Sequence, residues 1–183
     1  MKKCILILAV LSMVGLLLLP MFSSSESPAL ERSVALRDAL RRSKTVEVYE
    51  GLPHQMFERG LLEREMERDD VKQIDGFPFY TPAVAAEGRV LQELKVLISD
   101  EKTYTEFSAT MKACGGFHPD YTVQWRREEN VYWVLICFGC EEVIFTDGGK
   151  SLKYDLNSDV KDKLRALLVG FDKKRPRPVQ ISE

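Results

Sequence analysis

Tyr121 to Leu156 reads YTVQWRREENVYWVLICFGCEEVIFTDGGKSLKYDL, and this stretch decides the fold. Tyr121 to Arg127 is rich in β-formers and predicts a strand, with Glu128-Glu129-Asn130 as a turn. Val131 to Phe145 predicts one long strand that is apolar on both faces. Asp147-Gly148-Gly149-Lys150 makes a hairpin turn, and Ser151 to Leu156 is the third strand. Three consecutive hairpin-linked strands form an antiparallel meander, and the helices around them make the class α+β.

Working outward, Asn157 or Ser158 caps a helix running to Gly170, with Val160, Leu164, Leu167 and Leu168 facing inward. Upstream, Glu87 to Ser99 predicts a helix with Val90, Leu91, Leu94, Leu97 and Ile98 on one face. Thr103 to Lys112 is ambiguous between strand and helix. Gly76 to Pro82 (GFPFYTP) is an aromatic loop or edge segment, since proline is excluded from central strands. Phe57 to Arg68 is a charged helix with Leu61, Leu62 and Met66 as its stripe, while Glu63 and Glu67 line a solvated face. Thr45 to Tyr49 is a short strand stopped by Gly51-Leu52-Pro53-His54. The expected domain therefore covers 45–172, a meander sheet of about four strands against two or three helices. Residues 26–44, with Leu30, Val34 and Leu40 among charges, read as a helical stalk or linker. Residues 173–183 are basic, then proline-rich, and read as a disordered tail.

The chain has 183 residues, 45% hydrophobic and 30% charged, a globular composition. Met1-Lys2-Lys3 is a positive n-region, Cys4 to Leu19 an apolar run, and Ser23 to Ser25 a set of small residues after Pro20. That order predicts a signal peptide over 1–25, cleaved after Ser25. The rival is an uncleaved anchor, because residues 4–22 approach the ~20 residues that span a bilayer. Either way the domain is expected outside the cytoplasm, periplasmic or secreted, touching membrane only through residues 1–22 if the leader stays. Removing Lys2 and Lys3 takes the 26 basic residues to 24 against 28 acidic, a net charge of −4 for the mature part. A mildly acidic domain with no basic stripe argues against nucleic acid, whose phosphates require Lys and Arg.

Chemistry concentrates in the second half. Cys114, Cys137 and Cys140 follow the leader, with His118 close behind the first. If 121–127 and 131–140 are hairpin partners, the end of the second strand returns beside Cys114 and His118. A glycine bulge at Gly139 would turn Cys140 to the side of Cys137. In an oxidising compartment the first reading is a structural disulfide from Cys114 to Cys137 or Cys140, leaving one thiol over. The second is a metal site, Cys114, His118, Cys137 and Cys140 being a Cys3His set for zinc (Zn) or a soft ion such as copper (Cu). The third is dithiol redox chemistry at Cys137-x-x-Cys140, disfavoured by a strand-like setting and by Glu141 and Glu142, which raise a thiol pKa. Asp120 is a candidate to orient the His118 ring, or to cap the turn before the next strand. No nucleophile elbow and no phosphate-binding glycine loop is present, so no catalytic residue is assigned and the reading leans away from an enzyme.

EGLPH at 50–54, CGGFHPD at 114–120 and CFGC at 137–140 resemble a group of uncharacterised exported bacterial proteins in which these blocks recur in this order. The resemblance covers roughly residues 45–170. It implies no activity, ligand or partner; it adds His54 to Cys114, His118, Cys137 and Cys140 as a position to test. Expected overall is an exported cell-envelope binding or interaction domain of unknown ligand, stapled by a disulfide. A metal or thiol-redox protein is the alternative.

Overall fold

The computed structural model describes residues 28–110, 112, 114–172 and 174–176, so the leader expected over 1–25 and residues 177–183 lie outside it. In chain order the elements are α1 (Pro28–Arg42), β1 (Val46–Glu50), α2 (Arg59–Met66), β2 (Val71–Ile74), β3 (Phe77–Tyr80), β4 (Val84–Ala85), α3 (Gly88–Ser99), β5 (Tyr104–Glu106), β6 (Tyr121–Arg127), β7 (Asn130–Cys137), β8 (Glu142–Thr146), β9 (Ser151–Leu156) and α4 (Ser158–Leu168). The fold is α+β, and every pairing in the main sheet is antiparallel.

Seven strands in the order β4-β1-β6-β7-β8-β9-β5 replace the four expected. The meander of β6 to β9 is as the sequence predicts, except that Val131 to Phe145 is two strands. The chain turns at Phe138 to Glu141, with Cys137 opposite Glu142 and Glu141 at φ 57°. The C-x-x-C motif thus sits in a hairpin turn and not in a bulged strand. Its apolar character on both faces has a simple cause. Side chains alternate across a strand, so Val134, Ile136, Val143 and Phe145 face the helices while Leu135 and Ile144 face a second layer. That layer is the β2–β3 hairpin, which lays Ile74 and Phe79 on the sheet. Pro78 lies in this two-stranded edge piece, opposite Gln73, where its missing N–H is tolerated.

The helical layer holds α1, α3 and α4. Asn157 caps α4, its side chain accepting from the Asp159 N–H at 2.9 Å, and Leu164 and Leu168 are buried beside Leu94 and Ile98 of α3. α1 is no stalk. Leu36, Ala39 and Leu40 are at most 2% exposed in the core cluster with Val123 and Trp125, whereas Val34 stands 43% exposed. Of the residues first singled out, Leu40 is buried and Val34 is not; the inward stripe runs through Leu36, Ala39 and Leu40, and α1 belongs to the domain. Arg32 adds a second tie, reaching the Asp147 carboxylate and the Lys150 carbonyl in the β8–β9 turn. On α2, Met66 is exposed and Glu65 is the buried residue, accepting the Tyr80 hydroxyl at 2.8 Å. Among the described residues no helix is long and apolar enough to cross a membrane.

The start of the expected tail is also held. The backbone N–H groups of Lys174 and Arg175 donate to the Glu50 carboxylate at 2.9 and 3.2 Å, and the Arg175 guanidinium pairs with Glu58. Basic residues there meet an acidic rim at the end of β1.

Candidate functional site

Three short loops meet at one end of the main sheet. The first leaves β1 as Glu50 to His54, the second runs from Cys114 into β6, and the third is the β7–β8 turn Phe138 to Glu141. Backbone hydrogen bonds join them: the Gly51 N–H donates to the Asp120 carbonyl at 2.7 Å, and the Asp120 N–H to the Ile136 carbonyl at 2.8 Å. Asp120 then turns its carboxylate to the third loop, accepting the Phe138 N–H at 2.7 Å. It caps the C-x-x-C turn; the His118 ring is held by another partner.

Gly51 is required by close approach. A Cβ there would run into the Pro119 carbonyl oxygen and lie 3.0 Å from that of Asp120. Gly51→Ala therefore forces the first two loops apart and costs about 2–3 kcal/mol, the upper part of the overpacking range. Chemical denaturation of the variant checks this, and an unchanged midpoint would show that the loops are not locked as described.

The three cysteines come together here. Cys114 and Cys140 form a disulfide with Cα atoms 5.4 Å apart and a sequence separation of 26, the Cα distance being well inside normal bridging geometry. Cys137 is the free thiol, 1% exposed, and all three sulfurs lie within 4.8 Å of one another. Among the described residues no other candidate ligand atom joins that group. The turn presents the Cys140 N–H to the Cys137 sulfur at 3.2 Å. Burial pushes the Cys137 thiol pKa up, while backbone N–H groups of His118, Cys140 and Gly139 pull it partly back. The Gly116 carbonyl oxygen rests against both disulfide sulfurs, 3.3 Å from Cys114 and 3.2 Å from Cys140.

The two histidines stand next to the sulfurs without entering their group. His118 is buried and its Nε2 lies 2.8 Å from the Leu52 carbonyl; since a carbonyl only accepts, Nε2 carries the proton. His54 packs its ring 4.6 Å from His118 and 4.8 Å from Phe57. Its Nδ1 accepts the Met56 N–H at 3.1 Å, and its Nε2 is buried with no hydrogen-bond partner.

Burial, and less strongly the neighbouring His54, lower the His118 pKa; the Leu52 bond acts against them. The unfolded chain then binds a proton more readily than the folded one. Stability contributed by neutral His118 is present above the unfolded pKa of about 6.5 and declines as pH falls from there to the lower folded value. Urea midpoints across that window should fall in the wild type and fall less steeply in His118→Asn. Equal slopes would remove His118 as the cause.

A groove of about 590 Å³ opens beside the disulfide. Cys114 and Cys140 line it, along with Met56, Lys112, Phe117 and Glu142, and Cys137 does not. Lys112 pairs with Asp155 at 3.0 Å and reaches Glu142 at 3.9 Å. Met56 overlies Gly115, whose φ of 73° suits the glycine. The sequence carried no indication of Met56 or Lys112, which reach the groove only through tertiary packing. The β7–β8 turn had one, Gly139, which the sequence reading took for a bulge. Comparison of the chain with family models, with curated proteins and with solved structures finds no match.

Proposed function

We propose that the chain is an exported cell-envelope domain that works by binding a partner or ligand, with its ligand-facing loops held by the Cys114–Cys140 disulfide. The observation that carries this reading is the buried disulfide itself, which joins the CGGFHPD loop to the CFGC turn at the rim of the groove. Such staples belong to oxidising compartments, in keeping with the leader at 1–25.

A second reading has its own support. Reduced, the three sulfurs make a compact thiolate set, and the N–H to sulfur bond within C-x-x-C orients Cys137 as metal ligands are oriented. Zinc, or copper as Cu(I), suits three thiolates together with a fourth ligand. His118 would have to give up the Leu52 carbonyl to supply that ligand.

Native and denaturing mass spectrometry of the full chain, purified without reductant or chelator, separates the two. A denatured mass about 2 Da below the reduced formula, with no native adduct, supports the staple. A metal adduct lost on denaturation, with three free thiols, overturns it in favour of the metal centre.

A further inference from the structure

A staple needs two cysteines, and this corner buries a third against them. The Cys137 sulfur lies within 4.8 Å of both disulfide sulfurs without lining the groove, and it accepts the Cys140 N–H. Burial and the Asp120 carboxylate raise its pKa overall, but three N–H groups are turned toward the sulfur to receive the thiolate, the attacking species in disulfide chemistry. We propose that Cys137 is the nucleophile of an internal thiol–disulfide exchange, which moves the bond from Cys114–Cys140 to Cys137–Cys140 and releases Cys114 into the groove as the thiolate that engages disulfide substrates. The proposal rests on the oxidised form of the staple described above.

Electrons balance within the chain. The lone pair of the Cys137 thiolate forms the new bond to Cys140 Sγ, and the pair of the old bond leaves on Cys114 Sγ. Two sulfurs are disulfide-bonded before and after, so neither oxidant nor reductant is consumed. Attack falls on Cys140 because the four-residue turn already folds the Cys137 sulfur back onto the Cys140 N–H. Cys114 is the natural leaving group. Its loop continues through Gly115 and Gly116, both at positive φ, and the Gly116 carbonyl is placed to accept its S–H once protonated.

The released Cys114 thiolate would attack a disulfide entering the groove, a peptide cystine or glutathione disulfide, forming Cys114–S–S–R and expelling RS⁻. Burial keeps Cys137 protonated most of the time, so exchange is expected over minutes to hours.

The test uses the full chain, purified without reductant and treated when folded with N-ethylmaleimide at neutral pH. It is then quenched in acid and peptide-mapped under acidic conditions. The expected product carries maleimide on Cys114 together with a Cys137–Cys140 disulfide, and Cys137→Ser loses this labelling while keeping Cys114–Cys140. Cys137→Ala repeats the control should serine fail to fold. Maleimide on Cys137 with the original bond retained overturns the exchange and leaves the staple standing. So does an unlabelled folded protein that labels fully once denatured. Three labelled cysteines and no disulfide overturn the staple and the exchange together.

Discussion

Cys114→Ala or Cys140→Ala lowers the unfolding free energy by about 3 kcal/mol under non-reducing conditions, the chain-entropy value for a loop of this order. The bond joins positions 26 apart in sequence across a segment that contains β6 and β7, and its ends come from loops that the unfolded chain would let drift apart. At about 2–4 °C per kcal/mol for a domain of this size, the melting temperature falls by about 6–12 °C. The pattern across variants is as informative as the size. Since one bond is lost either way, the double variant should cost little more than either single one. Reductant should shift the wild type by the same amount and leave the double variant unmoved, whereas each single variant keeps two neighbouring thiols. A wild type indifferent to reductant would mean that the sulfurs serve something other than a staple. The wild-type shift should also be reversed on reoxidation.

Leu40→Ala is the second large effect, about 2–5 kcal/mol, the cost of a cavity in a packed core. Leu40 is 0% exposed on α1 and sits in one cluster with Val123, Trp125 and Leu94, so no solvent-facing route is open for the site to collapse. Val34→Ala on the same helix, at a 43% exposed position, should stay within about 0.5 kcal/mol. Unfolding followed by tryptophan fluorescence reports the comparison directly, because Trp125 lies in the cluster that Leu40 fills. Equal, small effects at both positions would make α1 an appendage. The expected contrast makes residues 28–42 part of the folding unit, so that a truncation at residue 45 gives no stable domain.

Sequence reading reached the α+β class, the β6 to β9 meander, α3, the cap at Asn157 and a disulfide from Cys114 to the C-x-x-C motif for definite reasons. Strand alternation, the Asp-Gly-Gly turn and the 3.6-residue stripe of Gly88 to Ser99 are local, and each is written within a dozen residues. Two nearby errors share one cause. Val131 to Phe145 looked like a single strand because both its faces are apolar, which follows from cover on both sides of the sheet. The β2–β3 hairpin that supplies the second cover comes from about 60 residues upstream. α1 looked like a stalk because its stripe is short and interrupted by Ser33 and Arg37, both buried. Only the sheet beneath it shows which side of that helix is the inner one.

The site divides in the same way. Residue type and spacing pointed to Cys114, Cys137 and Cys140 as neighbours, since a hairpin returns one end of a strand to the other. The choice of Cys140 as the partner of Cys114 depended on a turn whose tightness is set by Asp120 accepting the Phe138 N–H. His118 was placed correctly at the corner, but its ring is claimed by the Leu52 carbonyl, a contact across 66 residues. What the amino-acid sequence determined by itself was the meander's outer strands β6 and β9, the stripes of α3 and α4 and the reactive atoms, because these follow from neighbours along the chain. What only the tertiary structure decided was which sulfur pairs, which stays free and which face opens to the groove. Those outcomes depend on backbone groups from three distant loops packed against one another.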